Sequence, residues 1–142
     1  MLAIGTASKT HVASVILGEL ATVLLFAELD SARNRPDYES IMKDPKKFYM
    51  GDFKKRTRAM FKAIDSRILI LHGDIHALKK INSELIVPEL EKLGKNAIYS
   101  VYPGLNHGFY WANTGATLKT IKKILKEVSA HIDKHTAIAR AK

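Results

Sequence analysis

From residue 67 onward the apolar positions follow two different periods in turn. Arg67–His72 (RILILH) is a short unbroken apolar run ending at Gly73, the pattern of a parallel strand buried on both faces. Lys79–Leu93 then carries Ile81, Leu85, Ile86, Leu90 and Leu93 on a helical stripe, with Gly94 in the position that closes a helix. Pro88 lies inside that stripe and predicts a kink or a break, because it has no N–H and its ring crowds the preceding turn. Ala97–Tyr102 (AIYSVY) reads as the next strand, ended by Pro103-Gly104. Thr117–His135 reads as a closing amphipathic helix with Leu118, Ile121, Ile124, Leu125, Val128 and Ile132 along one side.

The first half carries weaker periods. Leu2–Gly5 reads as a short strand, Lys9–Leu20 as a helix and Thr22–Leu29 as a further strand. Residues 31–65 are polar, contain Pro36 and Pro45, and predict loop and helix excursions. Strand–helix alternation with short links predicts an α/β fold: one domain over residues 1–142, with a parallel sheet of about four strands and helices on both faces. Ligand sites in such sheets lie beyond the C-terminal ends of the strands. On this reading three polar groups fall there: Thr6–Lys9, Asp74–His76 and Asn106–His107.

Composition narrows the class. A chain of 142 residues that is 46% apolar is long enough for a core of its own, and this argues against disorder. The longest apolar runs, Val12–Leu17 and Thr22–Leu29, are far too short to span a bilayer, so no membrane partner is expected. The N-terminus lacks the basic, apolar and small-residue regions of a secretory signal, and the default expectation is a cytoplasmic location. The absence of cysteine excludes a disulfide framework and thiolate metal sites. His72, His76 and His107 match no metal-ligand spacing, so no metal is expected.

Lys and Arg number 23 against 14 acidic residues, a net charge of +9. The excess sits in Lys43–Lys62, with Lys46, Lys47, Lys54, Lys55, Arg56 and Arg58, and again in Lys119–Lys142. In both stretches the cations fall between apolar positions at helical spacing. They read as solvated helix faces in preference to a nucleic-acid-binding patch.

Two motifs bracket the helix of the second half. One is His72-Gly73-Asp74-Ile75-His76 at the end of its strand; the other is Tyr102-Pro103-Gly104-Leu105-Asn106-His107-Gly108-Phe109 after the next. Together with the helix ending Leu93-Gly94-Lys95, their order resembles strand 7, helix, strand 8 and histidine loop of the α/β-hydrolase superfamily, most closely its prolyl-oligopeptidase-like and esterase branches. The resemblance implies the C-terminal half of that fold, equivalent to strands 5–8, with His107 as the catalytic histidine. MLAIGTASKTHVASVILGEL then resembles strand 5, the nucleophile elbow and its helix. Ser8 takes the central place of the GxSxG pattern, and Thr6 and Thr10 stand where its glycines would be. At the acid of the HGxxD pattern stands His76, which leaves Asp74, or Asp30 beyond the following strand, to orient the histidine.

The implied chemistry is serine-hydrolase acyl transfer on a small-molecule ester or peptide substrate, of esterase or peptidase type, with no cofactor. Ser8 would attack the carbonyl, and His107 would act as general base and then general acid. Asp74 (or Asp30) would orient His107, and the N–H of Lys9 would bind the oxyanion. The two threonines, the histidine at the acid position and the missing first half of the superfamily core imply an impaired or incomplete enzyme. The alternative class is a catalytically inactive, hydrolase-derived binding or assembly module, or part of a split or longer enzyme, whose partner is a second copy in a homo-oligomer or the missing N-terminal half. Taken alone, Ser8 reads as a helix N-cap, and Phe109, Tyr110 and Trp111 as packing beside the histidine loop or the lining of an acyl pocket.

Overall fold

The computed structural model describes residues 2–18, 38–75, 79–106, 108 and 116–140. The described elements run α1 (Leu2–Ala7), β1 (Ser14–Gly18), α2 (Tyr38–Lys43), α3 (Pro45–Phe48), α4 (Gly51–Lys62) and β2 (Arg67–Gly73). They continue with α5 (Lys79–Ile81), a π-helical stretch (Asn82–Ile86), α6 (Val87–Lys92), β3 (Ala97–Tyr102) and α7 (Leu118–Arg140). The three described strands form one parallel sheet in the order β1-β2-β3. The strand expected at Thr22–Leu29 lies outside the described residues.

Burial alternates across the sheet as the pleat requires. Val15 and Leu17 of β1 stand in register with Ile68 and Ile70 of β2, and all four enter one cluster with Ile4, Phe53, Phe61, Ile81, Ile86 and Leu90. Leu69 and Leu71 point the other way, into a second cluster with Tyr102, Leu105 and Ile124 of α7. Both faces of the sheet are therefore covered. The central strand β2 is buried from Ile68 to Gly73, which is why its sequence is apolar without alternation.

The N-terminal segment corrects the sequence reading. Leu2–Ala7 is helical where a strand was expected, and Ser14–Gly18 is a strand inside the expected helix Lys9–Leu20. Between them the chain reverses through a turn, with Ser8 N–H donating to Ile4 O (3.0 Å) and Thr10 N–H to Thr6 O (2.9 Å). The physical reason is non-local. Val15, Ile16 and Leu17 suit either period in so short a run, and the parallel ladder to β2, with apolar contacts on both faces, decides for the strand.

The helix expected over Lys79–Leu93 is present but widened at its centre. Val87 N–H donates to Asn82 O, the five-residue reach of a π turn, and Pro88 opens the following α-helical turns. Pro88 has no N–H to bond to Glu84 O, and the wider turn just before it relieves the clash of its ring. Gly94 closes the helix at φ 68°, as its position predicted. Lys95 Nζ donates to Lys62 O and Ile64 O, each at 2.7 Å, and so satisfies carbonyls at the end of α4. No described helix is long and apolar enough to cross a membrane.

Candidate functional site

Because the strands are parallel, Gly18, Gly73 and Tyr102 end them on the same side of the molecule. The two sequence motifs meet there. Asp74 N–H donates to Tyr102 O and Ile75 N–H to Leu105 O, both at 3.2 Å, so the chain leaving β2 is laced to the chain leaving β3. Asp74 Oδ1 accepts from Gly104 N–H at 2.6 Å, a short charge-assisted bond. The turn is made possible by Gly104 at φ 73°, a left-handed conformation that other residues adopt at a cost.

Gly73 explains the His-Gly dipeptide. A Cβ on Gly73 would collide with Leu105 O, and it would lie 2.8 Å from Leu105 C and 3.0 Å from Asn106 O. All three are backbone atoms of the loop that leads into residue 107. Only glycine lets that loop lie against the end of β2. His107, Asp30 and His76 lie outside the described residues. Of the residues flanking position 107, Leu105 and Asn106 lie with their backbones against Gly73 at this end of the sheet.

His72 is a core residue. It is fully buried, its Nδ1 is 3.1 Å from Asn82 Nδ2, and its ring centroid is 6.1 Å from that of Tyr99. Asn82 is itself fully buried at the start of the π stretch, so the widened turn and the histidine share one polar contact inside the core. Among the described residues no group of three or more His, Asp or Glu side chains is arranged to hold a metal ion.

Ser8 and Lys9 lie elsewhere. They line a shallow depression of about 180 Å³ with Thr10, His11, Ala63 and Asp65. Ala63 and Asp65 immediately precede β2, so this depression is at the N-terminal end of the sheet. The seven residues of β2 separate it from Asp74, a span of roughly 20 Å at ~3.3 Å per residue. The local geometry also departs from an elbow, since the chain runs helix, turn, strand instead of strand, turn, helix. The N–H of Lys9, expected to bind an oxyanion, donates to Thr6 O at 3.0 Å. The structure thus brings Asp74 together with the loop before residue 107, and it does not bring Ser8 or Lys9 to them.

Two polar clusters carried no sequence motif. Arg58 pairs with Glu89, which is buried. Beside them Tyr49 has its phenol pushed up to about 12, by burial first and by Glu89 second, with Arg58 opposing. On the other face Ser100 and Tyr102 each donate to one carboxylate oxygen of Glu127 on α7. Burial, and then the bond to Glu127 and its charge, hold the Tyr102 phenol well above its ordinary range. Both clusters join elements more than twenty residues apart, and nothing in local spacing announces them.

Compared with protein-family models, with curated proteins and with solved structures, the chain matches none.

Proposed function

We propose that this chain is a serine-hydrolase-like module that presents the histidine loop around His107 and works on an acyl group, ester or peptide, with a nucleophile contributed by another polypeptide segment. Ser8 is not that nucleophile, and the chain alone has no acyl-hydrolase turnover. The observation that carries this reading is the placement of Ser8 and Lys9 at one end of the sheet and of Asp74 with the 103–106 turn at the other. A triad needs hydrogen-bond contact between nucleophile and base, and Ser8 lies about a strand's length from Asp74, the residue assigned here to orient that base.

The strand order supports the same reading. β1 pairs directly with β2, the place that strand 6 takes if β2 resembles strand 7. The nucleophile-bearing strand 5 of the resemblance then lies beyond the free edge of β1 in the described sheet. A second apolar flank on α7 points the same way. Leu118, Leu125 and Ile132, spaced by seven residues, are 68%, 59% and 41% exposed. They lie on the flank opposite Glu127, which is bonded to β3, and so toward β1 and beyond it. Such a flank is what the covering elements of a longer sheet would bury.

In the assembled site His107 would act as general base and then general acid. Asp74, already fixed by Gly104 N–H, would orient the imidazole. The test is labelling with a fluorescent fluorophosphonate. The folded chain alone should not label, and a segment bearing a GxSxG elbow, added in trans, should label in a way that His107→Ala abolishes. Labelling of the chain alone that disappears in Ser8→Ala would overturn the proposal.

A further inference from the structure

Between the outer side of β3 and α7 lies a cavity of about 530 Å³ that the hydrolase reading does not use. Its volume falls in the range of small-ligand sites. Ser100 and Tyr102, two residues apart on β3 and so on the same face, donate one hydrogen bond each to the two oxygens of Glu127. That carboxylate is thereby held in place, with both oxygens occupied and its charge partly spread onto two hydroxyls.

The cations of the cavity are not neutralised by it. Lys123 and Lys126, three residues apart on α7 and so on neighbouring positions of one face, both line the space. Among the described residues neither has a carboxylate within ion-pairing distance, the described ion pair being Arg58 with Glu89. The ammonium of Lys123 instead stands 5.9 Å from the centroid of the Tyr102 ring. Two cations therefore face one carboxylate that is already hydrogen-bonded. Val101, 37% exposed on the edge strand β3, and Ala130, one turn beyond Lys126, complete the lining.

We propose that this cavity binds a small amphipathic carboxylate, its apolar body against Val101 and Ala130 and its charged end between Lys123 and Lys126. Apolar contact and charge must act together here, since the net local charge is a single positive unit in partly wet surroundings. Glu127 works against the ligand's charge while it positions Tyr102 and Ser100, and this makes the sign of its substitution diagnostic.

The experiment is a titration of the isotope-labelled full chain with sodium octanoate, followed by amide shifts, with octan-1-ol and inorganic phosphate as companions. Octanoate should give saturable shifts confined to Ser100–Tyr102 and Lys123–Ala130. Replacing both lysines (Lys123→Ala with Lys126→Ala) should weaken binding about tenfold or more, with octanol similarly weak on the native chain. Glu127→Gln should tighten binding by a few-fold, because it removes a like charge and keeps the hydrogen-bonding shape. A purely structural role for Glu127 would only weaken it. Shifts that stay unsaturated at millimolar octanoate, or that are unchanged by the double lysine substitution, would overturn the proposal. Phosphate saturating the same amides as well as octanoate does would also overturn it, since a plain anion site has no need of the apolar floor.

Discussion

Replacing Gly73 by alanine tests how the loop leading to residue 107 is held. Gly73 does not have a positive φ, so alanine fits its backbone and the whole effect must come from contacts. The added methyl would lie 2.8 Å from Leu105 C and 3.0 Å from Asn106 O, and nearer still to Leu105 O. Ordinary contact requires ~3.5 Å or more, so the loop has to retreat by on the order of 1 Å. The bond from Ile75 N–H to Leu105 O, already 3.2 Å, would not survive such a retreat. Overpacking of this kind costs ~1–3 kcal/mol, and a lost backbone hydrogen bond adds ~1 kcal/mol. A total of about 2–4 kcal/mol is therefore expected. The assay is urea unfolding, read as a lower midpoint at unchanged slope, with amide exchange accelerated at Ile75. Gly104→Ala is the control: it forces alanine into φ 73° but meets open space, so it should cost only ~1 kcal/mol and leave Ile75 protected. A Gly73→Ala chain within about 0.5 kcal/mol of the native one, with Ile75 still protected, would refute the close approach.

Further outcomes follow from the two polar clusters. Arg58→Met should destabilise the chain by about 2–3 kcal/mol, at the low end for a broken buried pair because Arg58 is 35% exposed while Glu89 is 6%. Adding Glu89→Gln should recover part of the loss, and equal midpoints for the single and double variants in urea would sink that account. Burial lowers the pKa of His131, with the Arg67 backbone opposing, so the native ring resists a proton that the unfolded chain accepts. Its contribution is complete above the ordinary histidine value of 6.5 and is lost as pH falls below it toward the lowered native value. Urea midpoints measured from pH 7.5 down to 5 should therefore fall more steeply for the native chain than for His131→Gln, and parallel profiles would exclude the effect.

The parts of this fold legible in sequence are those fixed by local rules. β2 was visible because a strand buried on both faces leaves an uninterrupted apolar run, β3 because its aromatic and β-branched residues end at Pro103-Gly104, and Gly94 and Pro88 mark the end and the break of the helix between them. The N-terminal segment obeys no such rule. Val12–Leu17 suits either period, and the pairing of Ser14–Gly18 with Arg67–Leu71 is set across about fifty residues of chain. The site divides in the same way. Gly73 was readable as the end of its strand, whereas the close approach of Leu105 and Asn106 that requires glycine there exists only once the loop after β3 folds back. The assignment of Ser8 rested on one hydroxyl between two threonines, and nothing in that local pattern constrained the direction of the turn. The Glu127 cluster was invisible because it exists only once α7 lies against β3.

The net charge of +9 acquires a more specific meaning once the lysines are located. A module that tracks a nucleic-acid backbone presents unneutralised cations along one continuous face. Here several of them are spent on the chain itself. Lys95 closes carbonyls at the end of α4 and Lys80 bonds to Lys43 O at the end of α2, where a cation also complements the helix dipole. Lys54 stands 5.7 Å from the ring centroid of Tyr49, and Lys123 stands over Tyr102. Such uses scatter positive charge over helix ends and aromatic faces. Lys123 also lines the space beside β3 with Lys126, where positive charge can select a ligand of opposite sign.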